Sequence, residues 1–476
     1  MKKTSVLIIL ALICAIYLSA ALLSMGLEKF DYVLAGGKKF ATFPDLSSQL
    51  GIGVSYFALG IIYTIWLLGT PRSRIPERFP ILLTHAAIFL ILAFLSYPLG
   101  DDIYLYLHAG LMNLSGINPF LIRAGSFISE LSIFVDWGQT STYGPISQGV
   151  FTLSAALIQF SPILSIYAYK SFCLGLHVLN GYLIWKLLQS SPDRSRIAIA
   201  YLINPLLLME QVGSAHVDVC LSTSAIVFVG SLTSQRYGAA FTALWGGFLA
   251  KTLPILWMPL VAVFLIRKQR WWHLGGILLL SLGLVTLLWY TVLPGLPAWN
   301  SLLNPGVAGH YQASLHALVK AGMELASLLH LTTITPVQEH TLLLQLTRHT
   351  LAGFAAFYSW IVWRLCRKRS YTEANLIEDI AWVTLVLLLV ATPWLMPWYA
   401  SIALTLAALT PQSKVLGITS LMFGLASTAQ YLLQGHNSLK SFVMLGLPAI
   451  AAVIATTLIA QRSLNIAESV PSVRSQ

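Results

Sequence analysis

Residues 236–267 read RYGAAFTALWGGFLAKTLPILWMPLVAVFLIR, and the length of this stretch decides the fold. Lys251 is the only charge among the thirty residues between Arg236 and Arg267. So apolar a run belongs in hydrocarbon, while the arginines at its ends both belong on the cytoplasmic side, where lysine and arginine accumulate. Leaving that side and returning to it takes two crossings of ~20 residues each, and thirty residues are too few. The chain must therefore turn back near Lys251. Each arm of ~14 residues reaches about 21 Å at 1.5 Å per residue, against ~30 Å of hydrocarbon. A turn within the membrane is tolerated only where protein covers it or where it lines a cavity. The stretch from Asp379 to Lys414 has the same form, with its turn at Pro393–Tyr399.

The rest of the chain follows suit. Of its 476 residues, 57% are hydrophobic and 9% charged, and mean hydropathy is +0.76. Soluble domains carry about 25% charged residues, and a single core cannot bury this much apolar surface. The bilayer is the solvent. The apolar pattern predicts an all-α, polytopic transmembrane helical bundle of about fourteen helical membrane segments: 4–25, 51–69, 80–98, 165–188, 196–212, 217–233, 238–251, 253–267, 271–293, 346–366, 379–395, 398–411, 415–433 and 441–460. The first follows Lys2-Lys3 and exceeds the ~7–15 residues of a signal h-region, which favours a retained helix over a cleaved signal. Cys14, Cys173, Cys220 and Cys366 all lie in apolar runs and read as small hydrophobes, with neither disulfide nor zinc spacing.

With both termini in the cytoplasm, nineteen of the 28 basic residues and six of the 17 acidic ones fall inside. That leaves +13 inside and −2 outside, out of a total of +11. The basic balance is membrane topology, not a nucleic-acid footprint. Segments 26–50, 99–164, 210–218, 294–345, 393–399 and 434–440 are then external.

The first long external loop opens on Gly100-Asp101-Asp102-Ile103-Tyr104-Leu105-Tyr106. Two adjacent carboxylates at a membrane boundary are expensive. They are either solvated helix-end acids or functional groups. Asn118-Pro119-Phe120, Trp137 and Tyr143-Gly144-Pro145 follow, then an apolar stretch at 146–160 too short and too polar on one face to span. It reads as an amphipathic helix lying in the interface.

This order of motifs resembles the first external loop of GT-C glycosyltransferases, and most closely the polyprenyl-phosphomannose-dependent α-(1→6)-mannosyltransferase family. That family's Asp-hydrophobic-Tyr-x-Tyr falls on Asp102-Ile103-Tyr104-Leu105-Tyr106, with Asp101 where the family has a non-acidic or basic residue. Asn204-Pro205 followed by Glu210, and Gly213-Ser214-Ala215-His216-Val217-Asp218, are similar to its Asn-Pro…Glu…Gly-x-x-His-Asn-Asp, with Val217 in place of the asparagine. Lys251-Thr252-Leu253-Pro254 resembles its Lys-x-x-Pro, and Pro397-Trp398-Tyr399 its Pro-Trp-Tyr turn. The resemblance covers most of residues 80–410. It divides the chain into an N-terminal transmembrane hairpin (1–79), a catalytic module (80–411), and a C-terminal hairpin with a cytoplasmic tail (412–476). It implies a plasma-membrane hexosyltransferase, a mannosyltransferase above all. The donor would be a polyprenyl-phosphate sugar and the acceptor a lipid-linked or envelope glycan, met at the external face.

Sugar transfer to a hydroxyl needs a base for the acceptor proton and a cation for the departing phosphate. Asp102 is the first candidate base and Asp101 the second, since partial burial raises a carboxyl pKa toward neutrality. Lys251, at the hairpin tip, is the candidate for the phosphate; alternatively it snorkels and steadies the turn. Arg348 and Arg123 are weaker candidates for the same role. Glu210, His216 and Asp218 lie together on the external side, where they can bind acceptor hydroxyls or position the base, or simply cap and pack helices. Tyr104, Tyr143, Trp398 and Tyr399 stack on sugars or belong to the interfacial aromatic belt. His216 and Asp218 supply two metal ligands without a third, and a monophosphate donor carries less charge than a pyrophosphate. No obligatory metal or cofactor is expected. Direct attack by the acceptor on the anomeric carbon would invert its configuration. The rival readings are a transporter or flippase of lipid-linked sugars, to which short paired hairpins are suited, and a non-catalytic assembly subunit.

The charge asymmetry has a direct test. In a cysteine-free background, a cysteine at Ser126 should be labelled by an impermeant thiol reagent in intact cells, and one at Ser73 protected. The opposite pattern overturns the topology.

Overall fold

The computed structural model describes residues 2–34, 46–135, 137–303, 309–331 and 333–469. Lys38, Lys39, Asp45, Asp136, Arg474 and the part of the expected cytoplasmic tail beyond 469 lie outside the described residues. Among the described residues the chain is helical, without a strand; one isolated bridge joins Gln312 to Trp394.

Six helices are long and apolar enough to cross a membrane: Ser5–Asp31, Ser47–Gly69, Pro162–Leu187, Trp271–Thr291, Glu373–Ala391 and Asn437–Gln461. Each of the fourteen expected segments coincides with helix, but the full-length spans are fewer. Phe79–Leu95, Leu253–Arg267, Pro397–Leu409 and Lys414–Thr428 are short apolar helices, and Pro205–Gly213 and Asp218–Thr233 form one pair bent by 116°. On the Trp271–Thr291 helix Leu278, Leu279 and Leu282 are 62%, 73% and 65% exposed, an outward apolar face that only lipid can accommodate.

Local chemistry sets the breaks. Asn204 ends one helix and caps the next: its side chain accepts from the backbone N–H of Leu206 and Leu207, with Pro205 as the first helical residue. The chain then widens into a π-turn over Leu208–Gly213 and reverses through Ala215, whose φ of +56° is unusual for a residue with a side chain. His216 and Asp218 follow at once, so the strained corner aims both.

The loop at 99–164 holds two helices, Asp102–Leu114 and Pro145–Ala155, packed against each other. The second stands where an interfacial helix was expected, and it is inside out. Ser147, Gln148 and Ser154 are buried while Leu153 is 76% exposed. Its polar side chains find partners in the protein: Ser147 donates to the Ala250 carbonyl, and Gln148 joins Asn113 and Ser141. The loop at 294–345 carries Gly295–Leu303 and Leu315–Leu328, and the Pro336–Arg367 helix begins about ten residues before the expected 346.

The short hairpin bends where the sequence requires. Tyr237–Phe248 descends to the turn and Met258–Arg267 returns. A helix leaves its last carbonyls without partners, and here the first loop supplies them. The N–H of Gly144 donates to the Ala250 carbonyl at 3.1 Å, and that of Ile146 to Leu249 at 2.9 Å. This explains Tyr143-Gly144-Pro145. A Cβ at residue 144 would sit 2.2 Å from the Leu249 oxygen, so only glycine allows the approach, and Pro145 starts the helix.

Charged residues assigned to one side meet one another. Arg72 pairs with Asp193, Arg194 with Glu77, and Arg364 with Asp379, while Arg267 donates to the carbonyls of Leu365 and Lys368. Among those expected on the opposite side, Lys29 meets Asp101, Lys251 meets Asp218, and Lys320 meets Glu339.

Gly144→Ala should lower the melting temperature and the activity together, with a cost of about 1–3 kcal/mol typical of overpacking. Gly149→Ala, where an added Cβ meets nothing within 4 Å, should be neutral or stabilising. Thermal melts of the detergent-solubilised variants decide; equal melting temperatures would mean that the turn does not depend on this contact.

Candidate active site

The helical period separates the two adjacent carboxylates. Asp102 begins the Asp102–Leu114 helix, and Tyr106 stands one turn above it on the same face. Both address His216: the Asp102 carboxylate is 3.5 Å from Nδ1, and the Tyr106 hydroxyl 3.4 Å from the same atom. Asp101 faces elsewhere and pairs with Lys29 of the first helix at 3.0 Å. Tyr104 joins that second side. Its hydroxyl is 2.9 Å from that of Tyr97 and its ring stacks on Phe134 at 4.2 Å, within a buried aromatic cluster.

His216 is buried between two acids. Its Nε2 lies 3.3 Å from Glu210 Oε2, and its ring stacks on Trp398 at 3.8 Å. Glu210 is fully buried, and its other oxygen accepts from the hydroxyls of Tyr56 and Tyr431 at 3.2 and 3.3 Å. Those two hydrogen bonds compensate part of the cost of a buried carboxylate. The imidazole is thereby placed by the Tyr106 hydroxyl at Nδ1, by stacking on Trp398 and by a carboxylate near each nitrogen.

Asp218, at the start of its helix, takes Lys251 Nζ on both carboxylate oxygens, at 2.9 and 2.8 Å. The same ammonium lies 4.8 Å from the centre of the Tyr399 ring, a cation–π geometry. Lys251 thus sits between the turn that follows Tyr237–Phe248 and the turn at Pro393–Tyr399.

Asp102 and Lys251 open onto one cleft, walled by Tyr143, Trp394, Trp398 and Tyr399, with about 910 Å³ of space including its open mouth. Glu210, His216 and Asp218 stand behind its wall. They reach the cleft through Asp102 and Lys251. Arg348 and Arg123 are both exposed and neither lines the cleft. Among the described residues no three His, Cys, Asp or Glu side chains converge as metal ligands.

Burial pushes the Asp102 carboxyl above the usual carboxylate range. His216 and Lys251 oppose that shift, and the charges of Asp101 and Asp218 add to it. Burial likewise raises the phenols of Tyr106 and Tyr143, helped by the Asp102 charge, so both remain hydroxyls.

Several members of the site carry no role in the sequence reading. Tyr106 was within reach: had 102–114 been read as helix, its four-residue spacing from Asp102 would have placed both on one face. Lys29, Tyr56 and Tyr431 left no such signal, since each reaches the site from a distant segment.

The site joins acid, imidazole and ammonium groups around an aromatic-walled cleft in a helical membrane protein, the equipment of an enzyme that handles polar groups at a membrane. The family model described as alpha-(1->6)-mannopyranosyltransferase, N-terminal domain, matches residues 9–267, and the chain belongs to this mannosyltransferase family. The match takes in the first two helices as well as Asp102, Glu210, His216, Asp218 and Lys251. No curated protein matches the chain by sequence.

Proposed function

We propose that the protein transfers mannose from a polyprenyl-phosphate donor to a glycan acceptor, lipid-linked or part of the cell envelope, in the cleft between Asp102 and Lys251. The observation that carries this reading is that one carboxylate and one ammonium open onto the same aromatic-walled cleft at one end of the helix bundle. In this reading the cleft faces outside, both termini are cytoplasmic, and the membrane is the plasma membrane. Neither the fold nor the family favours transport.

The reaction is a single displacement. The acceptor oxygen attacks the anomeric carbon as the bond from that carbon to the phosphate oxygen breaks. The acceptor proton passes to Asp102, and the polyprenyl phosphate leaves with the bonding pair. An elevated pKa makes Asp102 a stronger base than an exposed aspartate. His216, fixed between Glu210 and Asp102 and stacked on Trp398, holds that carboxylate in place. Lys251 stabilises the charge developing on the leaving phosphate, and Asp218 with Tyr399 determines where the ammonium points. Asp101, paired with Lys29, acts on Asp102 through its charge. The product anomer is inverted, and the polyprenyl phosphate is a co-substrate rather than a cofactor.

Asp102→Asn should lower single-turnover transfer by about 10²–10⁴-fold, the usual worth of a general base, while the melting curve stays unchanged. Asp101→Asn should be milder. The wild-type rate should fall as pH drops through the elevated Asp102 pKa, because protonation removes the base, and residual Asp102→Asn activity should lack that acidic limb. Wild-type turnover by both single variants and the double variant would exclude the mechanism.

For Lys251, alanine should raise the apparent donor KM and lower kcat, and arginine should restore part of the loss. If well-folded Lys251→Ala keeps wild-type kinetics, the residue merely steadies the turn.

A further inference from the structure

A second large cavity lies away from the cleft. It is bounded by the helices Leu46–Gly69, Arg194–Leu202, Ala400–Leu409 and Lys414–Thr428, and it holds about 1280 Å³ of space including its open part. The Ala400–Leu409 helix relates the two openings. Tyr399, just before it, walls the cleft, and Thr410, just after it, lines the cavity. Its 10 residues rise about 15 Å, so the cavity stands one short helix further toward the other end of the bundle.

The cavity is amphiphilic. Tyr63, Leu67, Leu404, Ile418 and Leu421 form apolar walls. At its opening Leu68 and Ile418 are 65% and 37% exposed, an apolar border that lipid can cover. Polar groups gather at the helix ends, where Asp193, Arg196, Ser413 and Lys414 make a rim. The rim carries surplus positive charge. Asp193 is already paired with Arg72, and Glu378, which accepts from the Ser413 hydroxyl at 2.6 Å, lies outside the cavity. Arg196 donates to the Leu67 carbonyl, which holds its guanidinium at the rim, and Lys414 is exposed at the same end.

A soluble anion would leave the apolar walls uncovered, and a neutral hydrocarbon would leave the cations unused. An occupant with an anionic head and an apolar body satisfies both. We infer that this groove binds an anionic phospholipid of the leaflet remote from the cleft. Its phosphate meets Arg196 and Lys414 while an acyl chain lies along Tyr63, Leu404 and Leu421. The deep end of the groove reaches Asn204 and Leu207, at the start of the turn that carries Glu210, so the bound chain braces that turn from behind. A polyprenyl-phosphate donor is a poorer occupant, because its phosphate belongs with the sugar in the cleft. The inference does not depend on the transfer mechanism.

The test uses the intact protein in detergent and reads lipid affinity by native mass spectrometry, with thermal melts beside it. The probes are dioleoylphosphatidylglycerol, dioleoylphosphatidylethanolamine, undecaprenyl phosphate and inorganic phosphate. The wild type should bind the phosphatidylglycerol about tenfold more tightly than the phosphatidylethanolamine, and its melting temperature should rise with it. Lys414→Gln should reduce that preference severalfold and leave phosphatidylethanolamine affinity unchanged. Gly417→Leu, which fills the groove, should weaken both phospholipids about tenfold. An added Cβ at residue 417 meets nothing within 4 Å, and leucine favours a helix over glycine, so this variant should melt normally without lipid. Equal wild-type affinity for the two phospholipids, or an undiminished preference in Lys414→Gln, would overturn the inference. Inorganic phosphate that stabilises as well as phosphatidylglycerol would make the rim a site for soluble anions. Undecaprenyl phosphate that binds more tightly than phosphatidylglycerol, and is lost in Gly417→Leu, would give the groove to the donor. A wild-type dimer that Gly417→Leu dissociates would give it to a second chain. Each of these three results also overturns the inference.

Discussion

A helix that ends buried within the protein must find partners for its last carbonyls, because an unpaired buried carbonyl is costly. Leu249 and Ala250 are in that position, and the rest of the site follows from how they are satisfied. The backbone N–H groups of Gly144 and Ile146 come to them, with the Ser147 hydroxyl as a third donor. The first loop is thereby fastened onto the hairpin turn. Tyr143 arrives beside Lys251, and the Asp102–Leu114 helix is drawn in through its packing on Pro145–Ala155. A backbone requirement thus assembles a cleft.

The second turn, at Pro393–Tyr399, completes it from the other side; it follows Glu373–Ala391, which is long enough to cross a membrane and so is not the short arm the sequence suggested. This turn places Trp398 on the face of His216 and the Tyr399 ring beneath Lys251. The bent pair at Ala215 fills the space between, delivering Glu210, His216 and Asp218 from one corner. The π-turn, the positive φ and the fully buried Glu210 are each costly alone. Together they hold two carboxylates against one imidazole, an arrangement whose geometry suits a positioned base. The N-terminal helices contribute directly: Lys29 pairs with Asp101, and Tyr56 hydrogen-bonds Glu210.

Much of the fold was legible in the sequence because the bilayer imposes a length and a polarity that can be counted. The fourteen apolar segments coincide with helices, and thirty residues between two arginines demanded a turn at Lys251. The number of full spans was not legible, since a short apolar helix and a crossing one share the same composition. Nor was the Asp102–Leu114 helix, where aromatic and polar residues obscure the helical period. The helix expected at 146–160 is present as Pro145–Ala155, but its polar face turns inward, because Asn113, Ser141 and the Ala250 carbonyl supply its hydrogen-bond partners.

By itself the sequence determined the apolar solvent, the helical class, the two turns and most of the polar residues that meet at the site. These depend on local composition and spacing. Only the tertiary structure decided which of two adjacent aspartates faces the cleft, that Tyr104 packs in a core while Tyr106 reaches His216, and that Arg348 stands apart. It alone brought Lys29 to Asp101 across 72 residues and Tyr431 to Glu210 across 221. The reason is physical. Helical spacing fixes the angle between neighbours on one element, whereas the partner each face meets is set by how distant helices pack, and no local pattern records that.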